Sequence, residues 1–529
     1  MKIIDTPLVK KVREAYRSGQ EDEALEPIVV VDRSGSPVGR MENGDYVIFY
    51  NIRGEREIEL TECLTAKEFP HFPRKDKTLL NFVTMIEYSS SLDVKVAFPP
   101  ENEIKNTLSE VLSNAGIRFV KVAESEKAVH IGYFMNGKNE NPFQGEERII
   151  VPSPEGIASY AEAPDMSADQ VTDQVIEKLQ DRSCRFIVAN LANVDVVGHI
   201  EDREAVFAAV RSVDIQLGRI REACCKNNVT LLITADHGTA EDWLYPDGTI
   251  NTGHTKSPVP FIIADFASEE PAGLALNDKG ELSDIAPTIL ELLSMDKPSE
   301  MTGNSLISCA DDPGDLQRRV CLLILDGWGM GGDTEGNMII QAGAPGFDKL
   351  WEEFPHSQLD ASGEAVGMPA GTVGNSEAGH LHIGAGRRIF LDRVRIDRAI
   401  EDRTFFSNKA FVWAMDRARE KKVALHLLGI VSHYSSHGTI DHLFSLLKLA
   451  RNMEIKSIFV HSLIGRRGER PESGAIYVSQ VEEMCREIGV GTVVTVMGRY
   501  WALDREENWH LVDKAYRALV FGDGTQVIV

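Results

Sequence analysis

Short apolar runs rich in β-branched residues lie at three places in the chain where a polar segment follows at once. They occupy residues 186–188, 231–234 and 320–325, and each is followed closely by aspartate or histidine. Runs of this length, bounded by polar segments, are typical of strands buried inside a parallel sheet. Because open α/β sheets place their sites at the carboxyl ends of strands, these polar segments are candidates for a functional site.

Apolar runs alternate with amphipathic stretches near the end of the chain. Residues 423–428 and 456–460 have the pattern of strands, and residues 441–452 and 479–488 have the pattern of the helices that follow them. Such alternation predicts parallel sheets flanked by helices. The expected fold class is therefore α/β, with two domains built on mainly parallel sheets.

The segments after the first three runs carry side chains of the types that bind divalent metals. Mixed carboxylate and imidazole ligands suit ions such as Mn²⁺ or Zn²⁺ better than Ca²⁺ or a thiolate-bound structural zinc. The set is large enough for two ions, which together can clamp both oxygens of a phosphoryl displacement and activate a serine as nucleophile. The candidates are Asp195, His199, Asp236, His237, His254 and Asp326, with Ser376 as the nucleophile.

Composition restricts the partners of such a site. The chain has 529 residues and a formal net charge of −25, so nucleic acid and anionic membranes, which need a basic surface, are excluded. This length predicts more than one core. The sequence shows neither a membrane-spanning run nor a signal-peptide pattern, and we expect a cytoplasmic protein. The seven cysteines include no C-x-x-C spacing and are expected to be reduced thiols.

Arginines are concentrated in loops after two further β-branched runs, at residues 45–51 and 492–497. Planar guanidinium groups bind phosphate and carboxylate through paired hydrogen bonds. Both loops are therefore predicted to bind an anionic substrate. The candidates are Arg53, Arg56, Arg499 and Arg505, with Lys127 as a further cation from the middle of the chain.

Three segments resemble motifs of the cofactor-independent phosphoglycerate mutases, a family of the alkaline phosphatase superfamily. They are Leu325-Asp326-Gly327, Gly374-Asn375-Ser376-Glu377 and Thr234-Ala235-Asp236-His237-Gly238. In that family the first two open the chain and the third lies near its end, whereas here the order is rotated. Residues 320–529 resemble the family's first part and residues 1–307 its remainder. The resemblance implies a circular permutant, joined through a surface linker at 308–319.

The resemblance also implies how the chain divides. An alkaline-phosphatase-like metal domain is expected at 102–390, continuous in sequence and containing the linker. A smaller substrate-binding α/β domain is expected from residues 1–101 plus 391–529. We expect hinge motion near residues 102 and 390, because water must be kept from the reaction between its two steps.

Carried over residue by residue, the resemblance implies two Mn²⁺ ions, with Zn²⁺, Co²⁺ or Mg²⁺ as alternatives. The implied ligands of one ion are Asp195, His199 and His254, and those of the other are Asp236, His237, Asp326 and Ser376. The implied substrate contacts are Arg53, Arg56, Lys127, His437, Arg467, Arg499 and Arg505. The implied reaction interconverts 3-phosphoglycerate and 2-phosphoglycerate through a phosphoserine on Ser376, with Lys127 assisting. The expected partner is a small phosphorylated acid, and the expected oligomeric state is a monomer.

One loop departs from the family in a way that affects proton transfer. The family's Asp-Gly-Arg-Asp stands here as Gly465-Arg466-Arg467-Gly468, so the aspartate that works on the glycerate hydroxyl is absent. Glu469 is the first candidate to replace it, because an acid or base needs reach before it needs a tuned pKa. His433 or His437 is the second candidate. The third possibility is that no residue replaces the aspartate.

That departure leaves two other functions open. One is a metal-dependent phosphomonoesterase, or a mutase of another phosphorylated hydroxy acid. The other is a catalytically silent binding protein. The intact Ser376 counts against the silent protein, because a binding protein has no chemical need for a nucleophile.

Overall fold

The computed structural model describes residues 5–75, 80–100, 104–157, 159–245, 247–267, 274–309, 317–433, 435–465 and 472–528. Its strands are β1 (Ile28–Val31), β2 (Tyr46–Phe49), β3 (Asn81–Ile86), β4 (Lys95–Phe98), β5 (Arg118–Glu124), β6 (Glu146–Val151), β7 (Cys184–Leu191), β8 (Thr230–Thr234), β9 (Val259–Ala264), β10 (Leu274–Leu276), β11 (Lys279–Glu281), β12 (Ile307–Cys309), β13 (Val320–Leu325), β14 (His356–Asp360), β15 (Leu425–Ile430), β16 (Ile458–Ile464), β17 (Thr492–Gly498) and β18 (Thr525–Ile528). Its α-helices are α1 (Pro7–Arg17), α2 (Ile58–Thr65), α3 (Leu108–Asn114), α4 (Ala168–Gln180), α5 (Asn193–Gly198), α6 (Arg203–Asn227), α7 (Ile285–Leu292), α8 (Met338–Ala342), α9 (Pro345–Glu353), α10 (Ser376–Ala385), α11 (Asp392–Glu401), α12 (Lys409–Lys421), α13 (Ile440–Asn452), α14 (Ser473–Ile488), α15 (Arg499–Ala502) and α16 (Trp509–Val520).

The chain forms two compact units. The discontinuous unit contains Met1–Pro100 and Asp392–Val529, and the continuous unit contains Glu101–Leu391. Each unit has its own large cluster of buried apolar side chains. Across the described ranges, no helix is both long and apolar enough to cross a bilayer.

A sheet with eight described strands forms the centre of the continuous unit, in the order β11-β14-β9-β8-β13-β7-β5-β6. The strands from β8 to β6 in that order run parallel, whereas β9 is antiparallel to both of its neighbours. β8 and β13 are buried at every position. Strands covered on both faces need apolar side chains at successive positions, which is why the apolar runs form the middle of the sheet.

The sheet of the discontinuous unit has the order β18-β1-β17-β16-β15-β2-β3-β4 among its described strands. All neighbours pair in parallel except β1 and β17, which are antiparallel. Strands from the two ends of the chain therefore interleave, since β17, β16 and β15 lie between β1 and β2. With helices packed on these mainly parallel sheets, the α/β prediction is confirmed.

The joint predicted at 308–319 is shorter than expected. Its first two residues belong to β12, which pairs with β10, and residues 310–316 lie outside the described part of the chain. At the other end, Arg319 donates to three backbone carbonyls and Arg318 forms an ion pair with Asp265 at 3.0 Å. Strand pairing and guanidinium hydrogen bonds thus fix both flanks of the predicted linker.

Candidate active site

Polar side chains gather at the carboxyl ends of three adjacent strands of the continuous unit, β8, β13 and β7. Asp326 follows β13 directly, and its N–H donates to the Leu191 carbonyl at the end of β7, at 3.1 Å. Asp236 comes two residues after β8, and Asp195 lies in α5, which follows β7. Three carboxylates therefore meet at one edge of the sheet.

Ser376 is the first residue of α10, and only 6% of it is exposed. The Asn375 side chain caps the helix by accepting a backbone N–H of the first turn at 2.8 Å, which fixes the start of the helix. Ser376 Oγ lies 2.8 Å from Lys127 Nζ and 2.9 Å from His237 Nε2. It also lies 3.3 Å from Asp326 Oδ1. The candidate nucleophile thus faces an ammonium, an imidazole and a carboxylate together.

Two glycines allow the serine segment to approach the rest of the site. A Cβ at Gly374 would lie 2.1 Å from the Ala361 carbonyl oxygen, and one at Gly379 would lie 2.5 Å from the Asp236 carbonyl oxygen. Neither contact is sterically tolerable. The position of Ser376 therefore depends on glycine both before it and within α10.

His199 and His254 point the same ring nitrogen at Asp195. His199 Nε2 and His254 Nε2 lie 3.2 Å and 3.3 Å from Asp195 Oδ1, and 3.2 Å from each other. Their Nδ1 atoms lie 2.6 Å from the Thr252 carbonyl and 2.9 Å from the Gly374 carbonyl. A carbonyl at Nδ1 fixes the proton there and leaves the Nε2 lone pair for another ligand.

His380 and Asn190 support the other carboxylates. His380 Nδ1 lies 2.9 Å from the Ser376 carbonyl and 3.3 Å from Asp236 Oδ2. Asn190 Nδ2 donates to Asp326 Oδ2 at 2.7 Å and lies 3.0 Å from His380 Nε2. Asp236 Oδ2 is buried and accepts no hydrogen bond of good geometry from the described residues. One carboxylate oxygen at the centre of the cluster is therefore unsatisfied.

The candidate ligand atoms form tight groups. Those of Asp195, His237 and His254 all lie within 4.8 Å of one another, and so do those of Asp236, Asp326 and His380. The structure thus brings the seven side chains named from the sequence into one cluster, and it adds His380 to them.

The cluster concentrates buried charge around Lys127, which is 3% exposed. Burial favours the neutral amine, but Asp326 and Asp195 raise the pKa of Lys127 above its ordinary value. Burial raises the pKa of Asp326, and the negative charge of Asp236 raises it further. Burial also opposes ionisation of Asp195, yet Lys127 and His237 hold the pKa of Asp195 well below its ordinary value. One ammonium thus faces three buried carboxylates, and additional positive charge would stabilise them.

These residues fit divalent cations. Asp236 Oδ2 accepts no hydrogen bond of good geometry from the described residues. The facing imidazole Nε2 atoms cannot satisfy one another without a proton or a cation, and the carboxylates of the cluster outnumber its ammonium group. Oxygen and imidazole donors together are the set that suits Mn²⁺, Zn²⁺ or Co²⁺. The site is therefore a candidate metal centre with a serine in it.

Arg53 and Arg505 lie in the discontinuous unit and share one carboxylate. Arg505 pairs with Glu55 at 2.9 Å, and Arg53 lies 3.8 Å from the same side chain. Arg53 also donates to Ser436 Oγ at 3.4 Å. Both arginine side chains are 47% exposed, so a ligand can reach them.

Arg56 and Arg499 line a cavity of ≈ 390 Å³ in the same unit. Arg499 pairs with Glu23 at 2.8 Å, and Arg56 donates to the Leu503 carbonyl at 3.3 Å. All four predicted arginines thus belong to one unit, and each has a protein partner. The carboxylate partners of Arg53, Arg499 and Arg505 hold positions that an anionic ligand could take.

His437 is buried in the discontinuous unit, where its Nδ1 lies 2.8 Å from Glu57 Oε1. His433 is more exposed and lies 3.2 Å from Gln480. Arg467 and Glu469, like Gly468, lie outside the described residues. Their predicted roles stay predictions.

Three residues of interest were missed or left without a role in the sequence. Asn190 is the polar residue in the apolar part of β7 that begins at Phe186, and a buried polar residue in such a run is a signal that could have been used. His380 is four residues after Ser376, on the same face of α10, so helical spacing could have placed it. Glu57 gives no local signal, because its partner His437 is 380 positions away.

Two family models match the chain. One is described as the metalloenzyme superfamily and matches residues 3–297. The other is described as the N-terminus of BPG-independent PGAM and matches residues 396–528. Asp326 and Ser376 lie in neither matched range, so only the fold brings them to the residues of the first range.

Curated relatives match over part of their length. A 2,3-bisphosphoglycerate-independent phosphoglycerate mutase of Moorella thermoacetica is 42% identical over 56% of this chain and 56% of its own. One of Nostoc punctiforme is 43% identical over 57% of this chain and 56% of its own. A solved phosphoglycerate mutase of Leishmania mexicana, described at low cobalt concentration, is 28% identical over 53% of each chain, with a TM-score of 0.37. The chain thus spans about half the length of the curated relatives it matches.

Proposed function

The chain belongs to the metalloenzyme superfamily, and on that basis we propose that it interconverts 3-phosphoglycerate and 2-phosphoglycerate through a phosphoserine on Ser376. The observation that carries the proposal is the position of Ser376 Oγ, 2.8 Å from Lys127 Nζ and inside a cluster of metal-ligand side chains. The names of the relatives supply the substrate.

Two Mn²⁺ ions are part of the proposal. Asp195, His199 and His254 would hold one ion, and Asp236, His237, Asp326 and Ser376 would hold the other. When bound, such ions supply positive charge that polarises the phosphoryl oxygens and favours the ionised form of the serine hydroxyl. Asn190 and His380 keep the ligands in place through their hydrogen bonds to Asp326 and to the Ser376 backbone.

The serine carries the phosphoryl group between two hydroxyls of the same glycerate. In the first step Ser376 Oγ, as the alkoxide, bonds to phosphorus while the bond from phosphorus to the glycerate oxygen breaks, and that oxygen takes a proton from a general acid of the protein. In the second step the other glycerate hydroxyl gives its proton back to the same group and bonds to phosphorus, and the bond to Oγ breaks, which restores the alkoxide. Lys127, whose charge is maintained by its carboxylate neighbours, stabilises negative charge on Oγ in both steps.

The arginines of the discontinuous unit are proposed to bind the substrate's phosphate and carboxylate. Paired hydrogen bonds from Arg53, Arg56, Arg499 and Arg505 suit both groups. Glu23 and Glu55 hold two of these side chains ready through ion pairs. A substrate anion would then displace Glu23 or Glu55 from an arginine whose side chain is already held in place.

We also propose that this chain carries the family's segments in a rotated order. A model described as an N-terminus matches residues 396–528, after the metalloenzyme match at 3–297. This order supports a circular permutant. Pairing of β1 with β18 also supports it, because strands from the two ends of the chain are neighbours in one sheet.

The test is to incubate the Mn²⁺-loaded protein with 3-phosphoglycerate, without any bisphosphoglycerate, and to measure 2-phosphoglycerate and free phosphate together. Rapid formation of 2-phosphoglycerate with little phosphate is the expected result. Release of phosphate as the main product would instead identify a phosphomonoesterase, in which water accepts the phosphoryl group. If neither 2-phosphoglycerate nor phosphate forms, the proposal is overturned.

A further inference from the structure

A buried carboxylate pairs with a histidine in the discontinuous unit. Glu57 is fully buried, and its Oε1 lies 2.8 Å from His437 Nδ1. The same oxygen accepts a hydrogen bond from Asn51 Nδ2 at 2.7 Å, and Asn51 Oδ1 accepts the Ile430 N–H at 2.8 Å. The carboxylate is therefore held by the end of β15 and cannot turn away from the imidazole.

The backbone of His437 is fixed as well. Its N–H donates to Ser435 Oγ at 3.1 Å, and its carbonyl accepts the Ile52 N–H at 2.7 Å. With Glu57 accepting at Nδ1, the neutral ring carries its proton there and presents Nε2 as a base. Among the residues that the structure describes, none hydrogen-bonds this Nε2, so no described group occupies its lone pair.

The histidine lies beside the loop that carries Arg53. Ile52 precedes Arg53, and Arg53 donates to Ser436 Oγ, next to His437. A ligand bound by Arg53 would thus lie in the neighbourhood of the loop that carries the imidazole.

Several described acids near these arginines are already engaged. Glu55 pairs with Arg505, and Glu23 pairs with Arg499. Asp504 accepts the backbone N–H groups of residues 506 and 508. An acid or base must have an atom free for the substrate, and His437 Nε2 is such an atom.

We propose that His437 is the group that exchanges a proton with the glycerate hydroxyl, and that Glu57 is its positioning residue; this rests on the proposed function. When the hydroxyl attacks the phosphoserine, its proton passes to Nε2, the new oxygen–phosphorus bond forms and the bond to Ser376 Oγ breaks. In the opposite direction the imidazolium returns the proton to the departing glycerate oxygen. Glu57 stabilises the imidazolium, which is present before the first step and forms again in the second.

The test compares two phosphate esters in the Mn²⁺-loaded full chain carrying His437→Asn. With 3-phosphoglycerate we expect kcat to fall about 10²–10⁴-fold, because the leaving oxygen needs a proton. With p-nitrophenyl phosphate, whose leaving group departs as an anion, phosphoryl transfer to Ser376 should be nearly unchanged. A merely structural role would lower both rates together.

Glu57→Gln tests the positioning role separately, because its amide can donate to Nδ1 and favour the wrong tautomer. We expect kcat for 3-phosphoglycerate to fall at least about tenfold, with little change in KM, and Glu57→Asp to restore part of the loss. The matched control is His442→Asn, which removes another buried histidine, paired with Asp397 at 2.8 Å in the same unit. This variant should change stability and leave the ratio of the two ester rates at the wild-type value.

The outcomes separate the two proposals. If the wild-type protein forms no 2-phosphoglycerate, the proposed function fails and the role of His437 fails with it. If the wild type turns over and His437→Asn changes only KM, or lowers both ester rates equally, the role of His437 is wrong and the function stands. Selective loss of kcat in Glu469→Gln, with His437→Asn active, would assign the proton transfer to Glu469 instead.

Discussion

His199 Nε2 and His254 Nε2 lie 3.2 Å apart, and both face Asp195 Oδ1. Each ring is held at its Nδ1 side by a backbone carbonyl, so neither can turn its N–H toward the other. Two lone pairs directed at one point, beside a carboxylate, are stable only with a proton or a cation between them. The first three predictions concern these side chains and the segment that carries Ser376.

Removal of divalent metal should destabilise the continuous unit. At a free Mn²⁺ concentration about 100 times its dissociation constant, the free energy of unfolding should rise by about 2.7 kcal/mol over the chelated protein. The measurement is thermal or urea unfolding with chelator and after Mn²⁺ is restored. His254→Ala should reduce the gain, whereas His356→Ala, which removes an exposed histidine of the same unit, should not. Equal gains in both variants would contradict a metal at this place.

Replacement of the nucleophile should separate chemistry from fold. Ser376→Ala removes one hydroxyl, so phosphoryl transfer should disappear while the circular dichroism spectrum and the melting temperature stay close to those of the wild type. Mass spectrometry after incubation with substrate should detect a phosphorylated peptide containing Ser376 in the wild type alone. Turnover within about tenfold of the wild type would remove the serine from the mechanism.

A methyl group at Gly374 should displace the serine. The added Cβ would lie 2.1 Å from the Ala361 carbonyl oxygen, so the segment before α10 must shift. Misplacement of a reacting group by about 1 Å can cost about 10²-fold in rate, and we expect kcat of Gly374→Ala to fall by this order. Gly332→Ala is the control, because a Cβ there meets nothing within 4 Å. Similar rates for the two variants would show that the serine segment is not tightly constrained.

Acid should weaken the discontinuous unit through His461. This buried residue of β16 has its Nε2 3.0 Å from His426 Nδ1 and its Nδ1 3.2 Å from Thr495 Oγ1. Burial, followed by the charge of His426, holds the pKa of His461 well below its ordinary value. On the far side, His426 Nε2 lies 3.1 Å from Asp45.

The sign follows from the lowered pKa. Below about pH 6.5 the unfolded chain protonates His461 and the folded chain does not. The free energy of unfolding should therefore be unaffected by this residue above that pH, and should fall below it by up to about 1.4 kcal/mol per pH unit until the folded pKa is reached. Urea unfolding between about pH 7.5 and 5.5 should show a shallower dependence for His461→Gln than for the wild type. Parallel dependences would mean that His461 is already protonated in the fold.

The fold was largely predictable where burial acts through consecutive residues. The run at 320–325 is β13 to the residue, because a strand in the middle of a parallel sheet is apolar throughout. The helix predicted at 479–488 is α14, but it begins at Ser473. Its first turn is Ser-Gly-Ala, which carries no apolar periodicity, so the pattern starts after the helix does.

The site was predictable where a short motif carries it. Asp236, His237 and Ser376 come from segments with recognisable residue order. Pairing of Glu57 with His437, and of Glu55 with Arg505, depends on strands that meet only in the folded sheet. Neither pair has a local pattern, so neither could be read from the sequence.

The interleaved sheet of the discontinuous unit also determines when this protein can fold during its synthesis. β1 pairs only with β17 and β18 among the described strands, and both are synthesised long after β1. At typical elongation speeds the apolar residues of β1 must wait roughly half a minute to a minute and a half for their partners. The continuous unit is complete long before then. β1 is thus an apolar strand that stays without its sheet partners until β17 and β18 have been synthesised.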